Sequence, residues 1–218
     1  MARNEIQRRR GSHTAELRAR GNRFIVIDNF LPAVDFASVA LDFDTIRLNP
    51  VRKGMGQTAD GPAYRGGDSV QLFREEKNIP RWQCLLKDHT VSGLQLLDGG
   101  SFEQAGLTLS LSAWGYPSGS RTSWHYETPE RVGSFIYFVH REWQLGWGGG
   151  LFIADQLALE AADSPELADL NADPILILPR PNRLVLIRSN TKYAVQRIDR
   201  SAGYRIRKTW AGFLSKAP

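Results

Sequence analysis

The second half of the chain is a series of short β-type segments, and this series limits the fold more than any other feature. The segments are 107–114, 132–139, 151–153, 175–178, 184–187 and 204–214, and turns at 117–119, 148–150, 179–182 and 202–203 separate them. Residues 107–114 alternate in polarity, as a strand with one buried face does. Many short strands in series are typical of a closed or double-sheet β architecture.

The first half of the chain adds helices to this β-rich half. We expect a strand at 24–28, a helix that begins at 29–32, a strand at 68–73 and a second helix at 80–97. The expected core residues are Val34, Ala37 and Leu41 of the first helix and Trp82, Leu85, Leu86 and His89 of the second. The predicted fold class is therefore α+β but mainly β, with N-terminal helices flanking the β core.

Two further segments interrupt these elements. Residues 47–69 are rich in glycine, aspartate and arginine, which is typical of a loop, and such a long loop is uncommon unless it covers a site. Residues 155–173 are rich in Ala, Asp, Glu and Leu and contain the helix-start signature Ser164-Pro165-Glu166. We therefore expect a solvated helical insertion at 155–173.

The length and composition fit one globular domain. The chain has 218 residues, of which 42% are hydrophobic and 23% are charged, and this suffices for one sizeable core. No apolar run approaches the roughly 20 residues that a membrane-spanning helix needs. The single cysteine, Cys84, forms no internal disulfide and is expected to be a buried apolar filler, so we predict a reducing, cytoplasmic setting.

The N-terminal arm, residues 1–22, is basic and precedes the predicted domain at 23–218. Seven arginines lie in the first 23 residues and supply much of the net charge of +5. A basic arm of this kind is able to bind nucleic acid or anionic lipid. No aromatic residues are interleaved with the arginines, however, and no nucleic-acid motif follows. We therefore expect a solvated, partly helical arm, with neither nucleic acid nor membrane as partner.

The stretch Thr122-Ser-Trp-His-Tyr-Glu-Thr128 contains the residue pair with the most specific chemistry. On an extended segment, His125 and Glu127 point to the same face, because side chains alternate along a strand. One imidazole and one carboxylate are two-thirds of the 2-His-1-carboxylate triad that binds non-haem Fe(II). Such pairs are common at protein surfaces, so the interpretation of this one depends on the rest of the sequence.

A series of motifs surrounds this pair in a fixed order. They are Gly115-Tyr-Pro-Ser-Gly119, His125-x-Glu127, the segments 136–143, 148–152 and 179–187, and Arg207-Lys-Thr-Trp-Ala-Gly-Phe-Leu214. The series resembles the prolyl 4-hydroxylase-like branch of the 2-oxoglutarate- and Fe(II)-dependent dioxygenases, over residues 24–216. The resemblance implies a double-stranded β-helix, or jelly roll, with Fe(II) at its mouth, 2-oxoglutarate as cofactor, O2 as co-substrate and C–H hydroxylation or oxidation as the reaction.

The resemblance also implies roles for individual residues. His125 and Glu127 match the first two metal ligands, although aspartate is commoner than glutamate in the family. Trp124 and Tyr126 flank the pair and are candidates for substrate contact, whereas other tryptophans such as Trp114 are expected in the core. The small single domain, with no recruiting module, favours a small-molecule substrate such as an amino acid or a biosynthetic intermediate.

The family's binding site for 2-oxoglutarate is matched on the last predicted strand. Arg207-x-Thr209 fits the pattern that binds the distal carboxylate of 2-oxoglutarate, because arginine offers a bidentate fork and threonine a hydroxyl donor. Arg205 has the same strand parity and is the alternative cation. Tyr116 falls where a tyrosine lines the co-substrate pocket, and Phe138 departs from the tyrosine that relatives often carry there.

The largest departure is Tyr193, which stands where the family has its second metal-binding histidine. A phenol has a reference pKa of about 10 and binds metal well only as phenolate, which favours Fe(III) over Fe(II). Four interpretations stay open: Tyr193 is a ligand in a His/Glu/Tyr site; water or another side chain, His140 or His89, completes the shell; the chain is a degenerate or engineered variant of an active enzyme; or it is a pseudoenzyme that keeps the barrel as a binding module.

Overall fold

Two antiparallel sheets make up most of the molecule. The computed structural model describes residues 15–51, 59–72, 79–100, 102, 107–126, 130–155 and 173–216. In chain order, its strands are β1 (Glu16–Arg20), β2 (Phe24–Asp28), β3 (Leu48–Pro50), β4 (Ala59–Asp60), β5 (Tyr64–Leu72), β6 (Leu107–Tyr116), β7 (Arg121–His125), β8 (Arg131–Phe138), β9 (Leu151–Ile153), β10 (Ile175–Ile177), β11 (Leu184–Arg188), β12 (Tyr193–Val195) and β13 (Arg207–Lys216). The helices are α1 (Ala33–Thr45) and α2 (Arg81–Leu97), and short 3₁₀ turns lie at Leu145–Trp147 and Arg200–Ala202.

The strand order shows how the chain passes between the sheets. The large sheet has the order β1-β2-β11-β8-β13-β6-β5-β3, and the small sheet has the order β10-β9-β12-β7-β4. Consecutive strands such as β6 and β7, or β7 and β8, therefore lie in different sheets. As a result, strands that are distant in the sequence become neighbours, such as β2 with β11 and β7 with β12.

Apolar side chains fill two layers, one on each face of the large sheet. The inner layer lies between the sheets and contains Phe24, Val26, Ile136, Phe138, Val185 and Ile187 from the large sheet, with Leu151, Ile153, Ile177, Tyr193 and Val195 from the small sheet. The outer layer joins the large sheet to the helices and contains Phe43, Trp82, Leu86, Leu94, Leu109, Leu111, Phe135, Tyr137, Leu184 and Leu186, among others. Neighbours along β8 alternate between the layers because successive side chains of a strand point to opposite faces.

Most of the predicted elements are confirmed, and the fold is mainly β with helices on one face. Strands β6, β8, β9, β10 and β11 and helix α2 all lie within a few residues of their predicted positions. β13 begins at Arg207, later than the predicted start at 204, because the turn at Gly203, with φ of +60°, precedes it. Within the described residues, no helix is long and apolar enough to span a membrane.

The predicted apolar stripe of α1 is wrong. Val34 and Leu41 are 81% and 55% exposed, and Ala37 is exposed as well, whereas Val39, Ala40 and Phe43 form the buried face. Apolar residues occur on more than one side of this helix, so periodicity alone did not select a face. Contact with the large sheet selects it, and Phe43 packs edge-on against Trp210 with ring centroids 5.7 Å apart.

Three other predictions need correction. Cys84 is exposed, because α2 buries the side that carries Trp82, Leu86 and Thr90. Part of the predicted loop at 47–69 consists of β3, β4 and the first residues of β5. Residues 16–20, which we assigned to a partly helical arm, form β1 and pair with β2. Residues 1–14 of the arm and 156–172 of the predicted helical insertion lie outside the described residues.

A polar cluster before β11 connects this strand to its two neighbours, β2 and β8. Asn182 has a positive φ of +58°, its Oδ1 accepts hydrogen bonds from Leu31 N and Tyr137 Oη at 2.9 Å, and its Nδ2 donates to Leu31 O at 2.8 Å. The adjacent Arg183 donates to both carboxylate oxygens of Asp28, at 2.6 and 2.8 Å. This bidentate pair holds the pKa of Asp28 below its usual range.

Candidate active site

The inner face of the large sheet presents several predicted site residues next to one another. In the pairing of β13 with β6, Arg207 lies opposite Tyr116 and Thr209 lies opposite Trp114. In the pairing of β13 with β8, Thr209 lies opposite Phe138. Directly opposed residues of an antiparallel pair share a face, and Phe138 belongs to the inner layer. All five side chains therefore face the space between the sheets.

Arg207 is a buried cation without a carboxylate partner in the described part of the chain. Only 1% of its surface is exposed, and its Nε and Nη2 atoms have no hydrogen-bond partner there. Its guanidinium carbon lies 4.8 Å from the centre of the Phe138 ring and 5.5 Å from that of Tyr116. Burial lowers the pKa of Arg207 to about 10, so the group is still charged at neutral pH. A buried charge with unmet hydrogen bonds is costly, and an anionic ligand would relieve this cost.

The surroundings of Arg207 suit a small ligand with a carboxylate. Thr209 is 1% exposed and points in the same direction two residues further along β13. Burial raises the pKa of Tyr116 to about 12, so its phenol is neutral and able to donate a hydrogen bond. Gly149, with φ of +71°, packs against the arginine, and a Cβ at that position would lie 3.1 Å from Arg207 Cδ. Glycine suits this position because it adopts the positive φ without strain and adds no Cβ beside the arginine.

His125 and Tyr193 meet on the small sheet. They are register partners in the pairing of β7 with β12, and their ring centroids lie 4.3 Å apart at 57°. His125 Nδ1 lies 2.8 Å from Ser123 O, so Nδ1 carries the proton and donates to this carbonyl. Nε2 then keeps its lone pair, which is the arrangement that a metal-binding histidine uses.

Glu127, the predicted carboxylate ligand, lies outside the described residues. Among the residues that are described, no group of three or more histidine, cysteine, aspartate or glutamate side chains is arranged to hold a metal ion. The structure therefore brings together two of the three predicted metal ligands, His125 and Tyr193. The complete set stays a prediction.

The two alternative histidines lie in different environments. His89 is half-buried on α2, and its ring packs edge-on against Phe30 of the outer layer at 5.2 Å. It is on the opposite face of the large sheet from His125, so the hypothesis that His89 completes the shell is wrong. His140 is 4% exposed, its Nε2 lies 3.1 Å from Pro179 O, and burial lowers its pKa to about 3. It is a neutral, buried imidazole.

The other predicted residues lie nearer the surface. Arg205 precedes β13, is exposed, and donates from Nε to Glu142 Oε1 at 2.9 Å, so it is already paired. Trp124 and Tyr126 are 43% and 47% exposed. Trp114, expected in the core, is only half-buried. Arg65 also lies on this inner face, because it is the register partner of Trp114 in the pairing of β5 with β6. It falls within the predicted loop at 47–69, so the direction of its side chain could not be predicted from the sequence.

Solved structures of other proteins share this fold. A prolyl-4-hydroxylase from Pseudomonas putida superimposes with a TM-score of 0.57 at 17% identity, covering 89% of this chain and 93% of the other. For an oxidoreductase of the 2OG-Fe(II) oxygenase family from Burkholderia pseudomallei, the TM-score is 0.55 at 13% identity, with 89% and 87% covered. HygX from Streptomyces hygroscopicus, solved with nickel and 2-oxoglutarate bound, gives 0.54 at 11%, with 88% and 82% covered.

Sequence comparison adds nothing to these structural matches, since no family model and no curated protein matches the chain. Structural similarity at such low identity defines the fold. The predicted jelly roll is therefore confirmed, and it is the jelly roll found in 2-oxoglutarate- and Fe(II)-dependent oxygenases.

Proposed function

We propose that this protein is a non-haem iron oxygenase that uses 2-oxoglutarate and O2 to hydroxylate or otherwise oxidise a C–H bond of a small molecule, such as an amino acid or a biosynthetic intermediate. The observation that carries the proposal is Arg207. It is a fully buried guanidinium, it has two unmet donors, and it has no acidic partner in the described part of the chain. Such a group is explained best by an anion that binds there.

Arg207 would hold the distal carboxylate of 2-oxoglutarate through its planar fork. Thr209 would donate its hydroxyl to the same carboxylate, and the neutral phenol of Tyr116 would donate a further hydrogen bond. Phe138 stacks near the guanidinium and offers no competing acceptor, so the charge is left for the ligand. The site would discriminate against uncharged analogues because they leave Arg207 buried and unpaired.

A metal ion would bind at His125, Glu127 and Tyr193. Iron at that position would supply the activation of O2 that C–H oxidation requires. His125 fits this role because its Nδ1 proton is engaged by Ser123 O, which leaves Nε2 as the ligand atom. Apolar residues of the inner layer, including Ile153 and Val195, would exclude water from the neighbourhood of the site.

The test is binding of 2-oxoglutarate, measured by titration calorimetry under anaerobic conditions with Fe(II), in wild type and in Arg207→Met. We expect micromolar or tighter binding in the wild type and a loss of about 100-fold or more in the variant, because a charge-assisted bidentate contact disappears. Arg205→Met is the matched control, since Arg205 is a neighbouring but exposed arginine that pairs with Glu142. Equal affinity in wild type and Arg207→Met would contradict the proposal.

A second candidate function is a binding module that keeps the barrel without oxidising anything, and Tyr193 is the observation that favours it. The two candidates differ in metal content and in O2 consumption with 2-oxoglutarate present. An oxygenase purifies with, or takes up, one equivalent of iron and consumes O2 slowly even without substrate. If Tyr193 binds iron as phenolate, the aerobic protein will be coloured, and Tyr193→Phe will remove the colour.

A further inference from the structure

A second guanidinium lies on the inner face of the large sheet, away from the proposed co-substrate site. Arg65 of β5 is the register partner of Trp114 on β6, so it faces the space between the sheets as Trp114 does. Its Nη2 donates a hydrogen bond to Ser112 Oγ at 2.9 Å, and its guanidinium carbon lies 5.5 Å from the centre of the Trp114 ring. Two contacts therefore hold the guanidinium in a defined position.

Arg65 has no carboxylate partner among the described residues. The arginines at 121, 141, 183, 188, 197 and 205 each lie within 4.0 Å of an aspartate or glutamate oxygen. Other exposed arginines of the described residues, such as Arg47 and Arg81, also have no such partner, but Arg65 is the one held against Trp114 on the inner face. Arg65 is exposed, so a ligand from solvent is able to reach it without displacing another part of the protein. The hydrogen bond to Ser112 uses one of the two Nη2 hydrogens, so the other Nη2 hydrogen, together with Nε or Nη1, is able to form a bidentate contact.

An aromatic platform separates Arg65 from Arg207. The rings of Trp114 and Tyr116 are stacked, with centroids 5.9 Å apart and planes within 3° of parallel. Both residues are half-buried, so part of each side chain is accessible to solvent. Arg65 stands beside Trp114, and Arg207 stands beside Tyr116 at the other end. The strands that carry the two arginines flank β6, which puts their backbones about 10 Å apart.

We infer that Arg65 binds the carboxylate of the substrate and that the substrate's apolar body lies on Trp114. The two arginines then bind different ligands: the buried Arg207 binds 2-oxoglutarate, and the exposed Arg65 binds the carboxylate of a second acid. A planar guanidinium matches the two oxygens of a carboxylate, and an indole face offers contact to an aliphatic or aromatic group. The inference rests on the proposed function only in calling this ligand the substrate.

The test uses two matched pairs of probes, 3-phenylpropanoate with 3-phenylpropanamide and 4-methylpentanoate with its amide. The two members of each pair differ only in that an amide replaces the carboxylate. Binding to the full-length protein is measured by ligand-observed saturation-transfer NMR, with 2-oxoglutarate and Zn(II) in excess. We expect at least one acid to bind about 10- to 100-fold more tightly than its amide, and Arg65→Gln to abolish that difference.

Arg121→Gln is the control variant. Arg121 is also exposed but pairs with Asp60 on the small sheet, so the preference for acid over amide should persist in this variant. Trp114→Leu should weaken the acid and the amide by similar factors, because it removes the apolar platform and leaves Arg65 in place. The inference is overturned if no acid binds more tightly than its amide, or if Arg65→Gln leaves the preference unchanged.

Inorganic phosphate distinguishes a carboxylate site from a general anion site. The carboxylate assignment would be overturned if phosphate competes with the acid at equal affinity in the wild type and no longer binds in Arg65→Gln. Titration of 2-oxoglutarate in the wild type reports on the proposed function alone. Arg65-dependent acid binding without 2-oxoglutarate binding would therefore refute the oxygenase and leave the acid site standing.

Discussion

Replacement of Arg207 by methionine should stabilise the ligand-free protein while it removes the binding of 2-oxoglutarate. Arg207 is 1% exposed and has two unmet donors in the described part of the chain. Burial lowers its pKa from 12.5 to about 10, which corresponds to about 3 kcal/mol of lost solvation for the charged form. Methionine fills a similar space with an unbranched apolar chain and carries no such cost.

The expected gain in the free energy of unfolding is about 1–3 kcal/mol, measured by urea denaturation without ligand at pH 7. Saturating 2-oxoglutarate should offset most or all of this difference. At 100 times its dissociation constant the ligand stabilises the wild type by about 2.7 kcal/mol, and it should add nothing to Arg207→Met. The matched control, Arg205→Met, removes an exposed ion pair worth at most about 1 kcal/mol and should respond to ligand as the wild type does.

The reasoning is refuted if Arg207→Met is less stable than the ligand-free wild type by more than about 1 kcal/mol. That result would mean that the folded protein already compensates the guanidinium charge, so no bound anion would be needed to offset its lost solvation. A variant that is stabilised by 2-oxoglutarate as much as the wild type would refute the assignment of the binding site.

Three further perturbations test other parts of the structure. Burial lowers the pKa of the His140 imidazole to about 3, so on acidification the unfolded chain takes up a proton at this residue at a higher pH than the folded chain does. The free energy of unfolding should therefore decrease by about 2 kcal/mol as the pH is lowered from 7 to 5. His140→Asn should remove most of this decrease in denaturation measured at each pH. Asn182→Ala should cost about 3 kcal/mol or more in the same assay, because it breaks three buried hydrogen bonds, whereas Asn190→Ala, at an exposed position with φ of +54°, should cost about 1 kcal/mol. Tyr193→His should raise Fe(II) affinity by about tenfold or more in a chelator competition, since neutral imidazole suits Fe(II) better than a phenol does; unchanged affinity would mean that position 193 is not a ligand.

The β-rich half of the chain was predictable because its strands carry their own signals. Segments such as 151–153 and 184–187 are short apolar runs between turn residues, and each forms a strand there. β7 carries no such signal, since its side chains are exposed or half-buried, and only its resemblance to a known motif indicated an extended segment. The wrong face of α1 has the same origin, because apolar residues on several sides leave the choice of face to tertiary contact.

The candidate site was predictable only where a residue's place along the chain fixes its direction. Arg207 and Thr209 follow strand parity on β13, and both are buried on the inner face as that parity requires. The contact between His125 and Tyr193 depends on the register of β7 with β12, which no local pattern encodes. Arg65 acquires its direction from the pairing of β5 with β6, so it could not be found before the sheet was known.

The pairing of β1 with β2 has a practical consequence for anyone who shortens this protein. All five residues of β1 are exposed, so the strand contributes little apolar packing and its main role is to satisfy the backbone of its neighbour. Removal of residues 1–22 as a dispensable basic tail would leave β2 as the rim of the large sheet. The backbone groups of β2 that face β1 would then be open and could recruit a strand from another molecule. Trimming should stop before Glu16, and an affinity tag is better fused upstream of that residue.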